Sequence, residues 1–254
     1  MRITSCGMTD VGVKRTNNED NYLINEELNL FVVCDGMGGH AGGEFASAIA
    51  VNTVEEVLSS MELHPEDLDV DPEDGPVELV REKLRYAVRL AGKRIYDKAQ
   101  AEPEYKGMGT TALALLVDGG NAYMAHVGDS RGYLVRDGRI EQLTEDHSLV
   151  NEKIKAGLLT PEEAKNHKLK NIITRSLGYM EDVEIDISVQ AVTRGDRFVL
   201  CSDGLSNLVE TGEIGETTLD HGPQESCRQL VDLACERGGD DNITVVVARV
   251  DDVS

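Results

Sequence analysis

Apolar runs of strand length arrive in groups along this chain. β-leaning segments occupy residues 3–13 and 20–34, and TTALALLVD, NAYMAHV and RGYLVRDG follow one another closely. RFVLCSDG and NITVVVARV close the set. Helical patterns fall between the groups. Residues 44–61 place Phe45, Ile49, Val54, Val57, Leu58 and Met61 on one stripe, and residues 77–100 do the same with Val77, Val80, Leu84, Ala87, Ala91 and Ile95. PQESCRQLVDLACERG predicts a helix that stops at Gly238. In LTPEEA, Thr160 fits a cap, Pro161 the first helical position and Glu163 the capping-box partner, so a short helix starts there. Strands alternating singly with helices would build a parallel sheet. Grouped strands with helices between the groups build antiparallel sheets with helices packed outside. The three central runs, joined by DGG and GDS turns, read as an antiparallel meander. No repeat or linker interrupts the 254 residues, so one domain over 1–254 is expected.

Several strands end on an acid. VVCDG places Asp35 directly after a buried-type run, and VLCSDG does the same with Asp203. HVGDSRGY puts Asp129 in a tight turn, and GGDDNITVVV sets Asp240 and Asp241 before the last strand. KRTNNEDN adds Glu19 and Asp20. Aspartate favours turns, so each alone is ordinary. The repeated form, apolar strand then Asp-Gly, suggests that the acids converge on one rim of a sheet.

Net charge is −22, from 47 acids against 25 bases, which makes nucleic acid and anionic membranes poor partners. The acidic, proline-containing stretch 62–78 reads as a solvated loop. No signal segment or apolar run of membrane-spanning length is present, and a cytoplasmic location is expected. Cys6, Cys34, Cys201, Cys227 and Cys235 form no C-x-x-C pair and read as small hydrophobes in a reducing compartment.

Clustered carboxylates repel one another unless cations join them. All-oxygen ligation selects Mg²⁺ or Mn²⁺, and the histidine spacing offers no zinc site. Two dications about 4 Å apart repel by ~17 kcal/mol at an effective dielectric of about 20, which a bridging carboxylate can offset. The glycines after Asp35 let backbone carbonyls approach beside it. Arg15, four residues before Glu19, offers a guanidinium fork for phosphate. A rival reading takes Gly36, Gly38 and Ala41 as part of a dinucleotide-binding loop, although Asp35 would repel a pyrophosphate.

The ordered set R-x-x-N-E-D (residues 15–20), VVCDGMGGHAGGE, GTTALALLV, HVGDSRGYLV, LTEDHS, NIITRSLG, VLCSDGL and GGDDNITVVVARV spans nearly the whole chain. It resembles the metal-dependent protein serine/threonine phosphatases of the PPM type, the 2C class, and its bacterial single-domain members in particular. The resemblance implies an α+β fold: a four-layer αββα sandwich with two central antiparallel sheets, helices outside and a flap at about 146–172. It implies hydrolysis of phosphoserine and phosphothreonine by a water or hydroxide held between two Mn²⁺ or Mg²⁺ ions. By position, Asp35 would bridge both ions, the Gly36 carbonyl would bind one, and Asp203 and Asp241 the other. Glu19 would act through water, Asp20 would orient waters and Arg15 would bind phosphate. Asp129 with Asp203 would hold a third, weaker ion, and Asn242 would support the ligands. Phosphorylated proteins are the implied substrates, a Ser/Thr kinase the implied counterpart and a monomer the implied state. Two positions depart from the pattern. Met37 stands where eukaryotic members carry a histidine, leaving His40 as a substitute acid to consider, and Asp240 is extra and not expected to be a ligand. A non-catalytic phosphoprotein-binding module, a nucleotide-binding protein and a metal-dependent nuclease are the alternatives.

Overall fold

The computed structural model describes residues 1–38, 42–60, 68, 75–165 and 167–253. His40 and most of the acidic stretch 62–78 therefore lie outside the described residues. The strands are β1 (Arg2–Asp10), β2 (Asp20–Asn25), β3 (Leu30–Met37), β4 (Gly109–Thr110), β5 (Ala112–Asp118), β6 (Asn121–Val127), β7 (Arg131–Arg136), β8 (Arg139–Gln142), β9 (Asp186–Ala191), β10 (Arg197–Cys201) and β11 (Ile243–Asp252). The helices are α1 (Gly42–Ser59), α2 (Gly75–Ala101), α3 (Leu149–Lys155), α4 (Pro161–Lys165), α5 (Asp203–Ser206), α6 (Thr211–Asp220) and α7 (Pro223–Glu236).

Two antiparallel sheets carry the molecule. One runs β1-β11-β10-β7-β8, the other β2-β3-β5-β6-β9, with β4 paired to β3. Alternation along single strands shows how they stack. On β3, Leu30, Val32 and Cys34 face α1 and α2, while Phe31 and Val33 face the second sheet. On β11, Val246, Ala248 and Val250 enter that same inter-sheet core, while Val245 and Val247 face α7. Three apolar layers thus separate four structural layers, the expected αββα order. Each fully buried Leu, Val or Phe contributes roughly 1.5–3 kcal/mol.

The central meander is not one sheet. β5 and β6 form the expected hairpin, but the chain then leaves the sheet, and β7 pairs with β10 and β8 in the other one. Gly128, at φ +112° with the Thr111 side chain where a Cβ would lie, makes this crossing. A GDS turn reads like a hairpin turn in sequence, and only the choice of partner strand distinguishes the two. The dinucleotide-fold alternative also fails here, since β3 has antiparallel neighbours on both sides.

The helix stripes shift. In α1 the buried positions are Ala46, Ala50, Val51, Val54 and Val57. Phe45 is instead half-exposed and stacks on Tyr105, with ring centroids 4.8 Å apart. Small residues let α1 lie close over β3, and a phenylalanine on that face would hold it away. In α2, Leu84, Ala87, Ala91 and Ile95 are buried as expected, and Val77 is exposed. Thr160 and Glu163 form the expected reciprocal cap: Thr160 N–H donates to Glu163 Oε2 at 2.8 Å and Glu163 N–H to Thr160 Oγ1 at 3.3 Å. β8, β9, α3, α5 and α6 are additional to the elements read from sequence.

Candidate active site

The sheet edges gather the acids. Asp20 opens β2 and sits in register opposite Asp35 on β3. Both belong to one sheet. Asp203 follows β10 and Asp241 precedes β11, both in the other sheet. Asp129 lies on the crossing between the sheets. Asp35, Asp129, Asp203, Asp241 and Glu19 line one cleft of about 660 Å³, with Arg15, Gly36 and Met37. The convergence expected from strand ends is therefore present.

Their electrostatics show how close they stand. Burial, then the charges of Asp20, Asp203, Asp129 and Asp241, push Asp35 well above the usual carboxylate range. Burial, then Asp203 and Asp146, raises Asp129 to about 8. Burial raises Asp20 to about 7, although hydrogen bonds from Thr244 and Ser202 hold it down and Asp203 and Asp241 add to the rise. Asp203 is raised by burial and by Asp241, and Glu19 by burial against the lowering effect of Arg15.

Asp20 is behind the cleft wall, only 6% exposed. Ser202 Oγ and Thr244 Oγ1 donate to its Oδ2 at 2.8 and 2.7 Å. Its Oδ1 is buried with no partner, and so is Oδ1 of Asp129. A bare buried carboxylate oxygen is costly and rare. Two of them beside a shared cleft mark places for cations or ordered water. Among the described residues, no three acid, imidazole or thiolate side chains close around a single point.

The backbone around Asp35 is fixed by hydroxyls. Its N–H donates to Thr111 Oγ1 at 2.9 Å, and its carbonyl accepts from Thr110 Oγ1 and from Thr111 N–H, each at 2.9 Å. Thr111 Oγ1 also meets Ser130 Oγ at 2.7 Å, tying Asp35 to the Asp129 turn. His147 holds that turn from the other side, its Nδ1 accepting from Gly128 N–H at 3.0 Å. A Cβ at Gly36 would overlap the carbonyl oxygen of Gly43 and come within 2.5 Å of that of Glu19, so no other residue fits.

Arg15 lines the cleft but is engaged. Its NH2 lies 2.7 Å from Asp241 Oδ2, with half the side chain exposed. Asn242 is the brace: its Nδ2 donates to the carbonyls of Val11 and Asn17, both at 2.9 Å, and its Oδ1 accepts from Glu19 N–H at 2.8 Å. Asp240 points elsewhere, onto Lys14. The flap carries α3 and α4 and is closed at its base by Leu149 N–H to Ile172 O (2.9 Å) and Thr174 N–H to His147 O (2.8 Å).

Sequence reasoning missed the hydroxyls. Thr110, Thr111, Ser202 and Thr244 sit inside quoted motifs, yet a Ser or Thr in an apolar strand reads as an ordinary strand residue. Asn207, which donates to Asp203 Oδ2 at 3.0 Å, carried no signal either.

The sequence profile of the protein phosphatase 2C family matches residues 13–235. Protein phosphatase PhpP of Streptococcus pneumoniae is 39% identical over 249 residues, covering 96% of each chain. Among solved structures, the Mycobacterium tuberculosis serine/threonine phosphatase PstP/Ppp superposes with a TM-score of 0.88 at 36% identity, covering 99% of this chain and 100% of that one. The catalytic domain of serine/threonine protein phosphatase PstP in complex with two manganese ions gives 0.84 at 37% identity, covering 98% and 99%.

Proposed function

The chain belongs to the protein phosphatase 2C family, and on that premise we propose which of its residues carry a metal-dependent hydrolysis of phosphoserine and phosphothreonine in proteins. The observation that carries the reading is the cluster itself. Acids from both sheets share one cleft, burial and mutual repulsion raise the pKa values of Asp35, Asp129 and Asp203, and two buried oxygens lack partners. An all-oxygen set of this kind suits two Mn²⁺ or Mg²⁺ ions.

Asp35 and the Gly36 carbonyl would hold one ion, and Asp203 and Asp241 would complete the other with Asp35 shared between them. Glu19 would act through water, and Asp129 with Asp203 would take a third, weaker ion. Bound there, the ions would offset the carboxylate charge, polarise the phosphate and make a water at the site more acidic. Arg15 stands where a phosphate in the cleft meets a guanidinium fork, and a cation on Asp241 would release it from that partner. Asp20, with Oδ2 fixed by Ser202 and Thr244, would orient water at the ions from behind the cleft wall. Met37 has no proton to give a leaving alkoxide.

Residues 1–254 act as one catalytic domain whose flap, 146–172, borders the cleft. Its substrates are phosphorylated proteins, and it opposes a Ser/Thr kinase. Five unpaired thiols suit a reducing cytoplasm, and a charge of −22 favours a monomer. The test is hydrolysis of a phosphothreonine peptide with and without Mn²⁺. Wild type should turn over only with the ion, and Asp203→Ala should lose at least about 100-fold. Activity that survives exhaustive chelation overturns the assignment.

A further inference from the structure

One wall of the cleft carries apolar side chains that the reaction does not need. The wall is anchored at Leu177, which is fully buried and whose N–H and C=O both bond to Thr110, at 2.9 and 3.1 Å. Its side chain packs on α2 at Gly92, where a Cβ would lie 3.2 Å from Leu177 Cδ2. Gly178 then turns the chain at φ +89°, with Ile95 filling the space a Cβ would need. Out of this turn come Tyr179, 76% exposed, and Met180, 54% exposed, and both line the cleft that holds Asp35 and Arg15. Met37 continues the apolar surface inward: a Cβ at Gly109 would meet both Met37 Cγ at 3.7 Å and Leu177 O at 2.9 Å.

Large apolar side chains left open to water on a fixed backbone mark a contact surface. Tyrosine supplies much contact area for little lost rotamer freedom, and a pre-set backbone lowers the entropy of docking. The occupant follows from the position. A phosphate in this cleft belongs to a polypeptide whose neighbouring residues lie within about 3.5 Å of chain per position. Those neighbours must pass the rim on which Tyr179 and Met180 stand. Glu181 and Asp182, next in sequence, face Lys93 and Arg89 at 3.7 Å each, so the rim offers its apolar side chains rather than a net charge.

We propose that Tyr179 and Met180 are specificity-determining residues, forming an apolar seat for a substrate side chain within two positions of the phosphorylated residue. The inference rests on the phosphatase reading and adds the sequence class that it prefers.

The test compares two phosphothreonine peptides, identical except that the two positions on each side of the phosphothreonine are leucine in one and glycine in the other. p-Nitrophenyl phosphate, which has no flanking residues, serves as the third substrate. With Mn²⁺, wild type should favour the leucine peptide in kcat/KM by about tenfold, mainly through KM. The double variant Tyr179→Ala/Met180→Ala should lose that preference and hydrolyse p-nitrophenyl phosphate as wild type does. Tyr179→Phe/Met180→Leu should keep the preference. Equal use of the two peptides by wild type, or a preference untouched in the alanine variant, overturns the seat while p-nitrophenyl phosphate hydrolysis leaves the phosphatase reading standing. Failure of wild type to hydrolyse p-nitrophenyl phosphate overturns both.

Discussion

Asn242 shows how much one side chain can organise. With three hydrogen bonds it joins residues 11–19, which carry Arg15 and Glu19, to the turn before β11 that carries Asp241. Removing it frees that loop, and Arg15 and Glu19 with it, while Asp35 keeps its own supports from Thr110 and Thr111. Asn242→Ala is expected to lower kcat/KM on a phosphothreonine peptide by about 10–100-fold, and raising Mn²⁺ should recover part of the loss. The cysteines make the opposite case. Cys34 and Cys201 are fully buried, and burial pushes the Cys34 thiol up and that of Cys201 up to about 12. A thiol held protonated is no nucleophile. Cysteine-to-alanine changes should preserve kcat, and thiol-alkylating reagents should not inhibit the folded enzyme. Alanine is the better probe than serine, since a hydroxyl at Cys34 or Cys201 would enter an apolar layer.

At the scale of elements, the buried strands were the most legible part of the chain, because their apolar runs are long and end on Asp-Gly. α6 was not legible. Only Ile214, Gly215 and Thr218 are buried in it, its first turn includes Gly212, and its start is capped by Glu210 and Glu213 where Ser or Thr is usual. β9 is an edge strand of DISVQA, half-buried and without a clear period. The convergence of the acids was legible from their strand ends, but their division between two sheets was not, since that depends on β7 changing sheets. Two element-level tests follow. Gly36→Ala would drive a methyl group into the Gly43 carbonyl at the start of α1 and the Glu19 carbonyl before β2, so it should destabilise by about 2–4 kcal/mol and abolish activation by Mn²⁺, measured by thermal denaturation and turnover. Asp196, 1% exposed, accepts from Arg136 Nε and NH2 at 2.7 and 2.6 Å and from Thr193 N–H at 2.7 Å, fastening β7 to the turn before β10. Asp196→Ala should cost about 2 kcal/mol, roughly 4–8 °C in Tm, with kcat little changed.

For the whole molecule, the acid cluster couples folding to pH. Asp20 and Asp129 move from 3.8 in the unfolded chain to about 7 and about 8 in the folded one, and Asp35, Asp203 and Glu19 shift the same way. Between those values the folded state binds more protons than the unfolded state. Stability of the chelated protein is therefore complete below about pH 4 with respect to these groups and is lost as pH climbs through about 7 to 8. Calorimetry in chelator should show Tm falling from about pH 5 to about pH 9. Mn²⁺ should raise Tm more at the upper end, where it has fewer protons to displace. Other groups set the background slope, so the diagnostic is the difference between chelated and loaded protein.

The division of the acids between two sheets also bears on synthesis. Glu19, Asp20 and Asp35 emerge from the ribosome well before Asp241 and β11, which lie far later in the sequence. β11 is also the strand that joins β1 to β10. A nascent polypeptide that still lacks Asp241 and β11 thus holds only part of the cage and cannot strip phosphate from its neighbours.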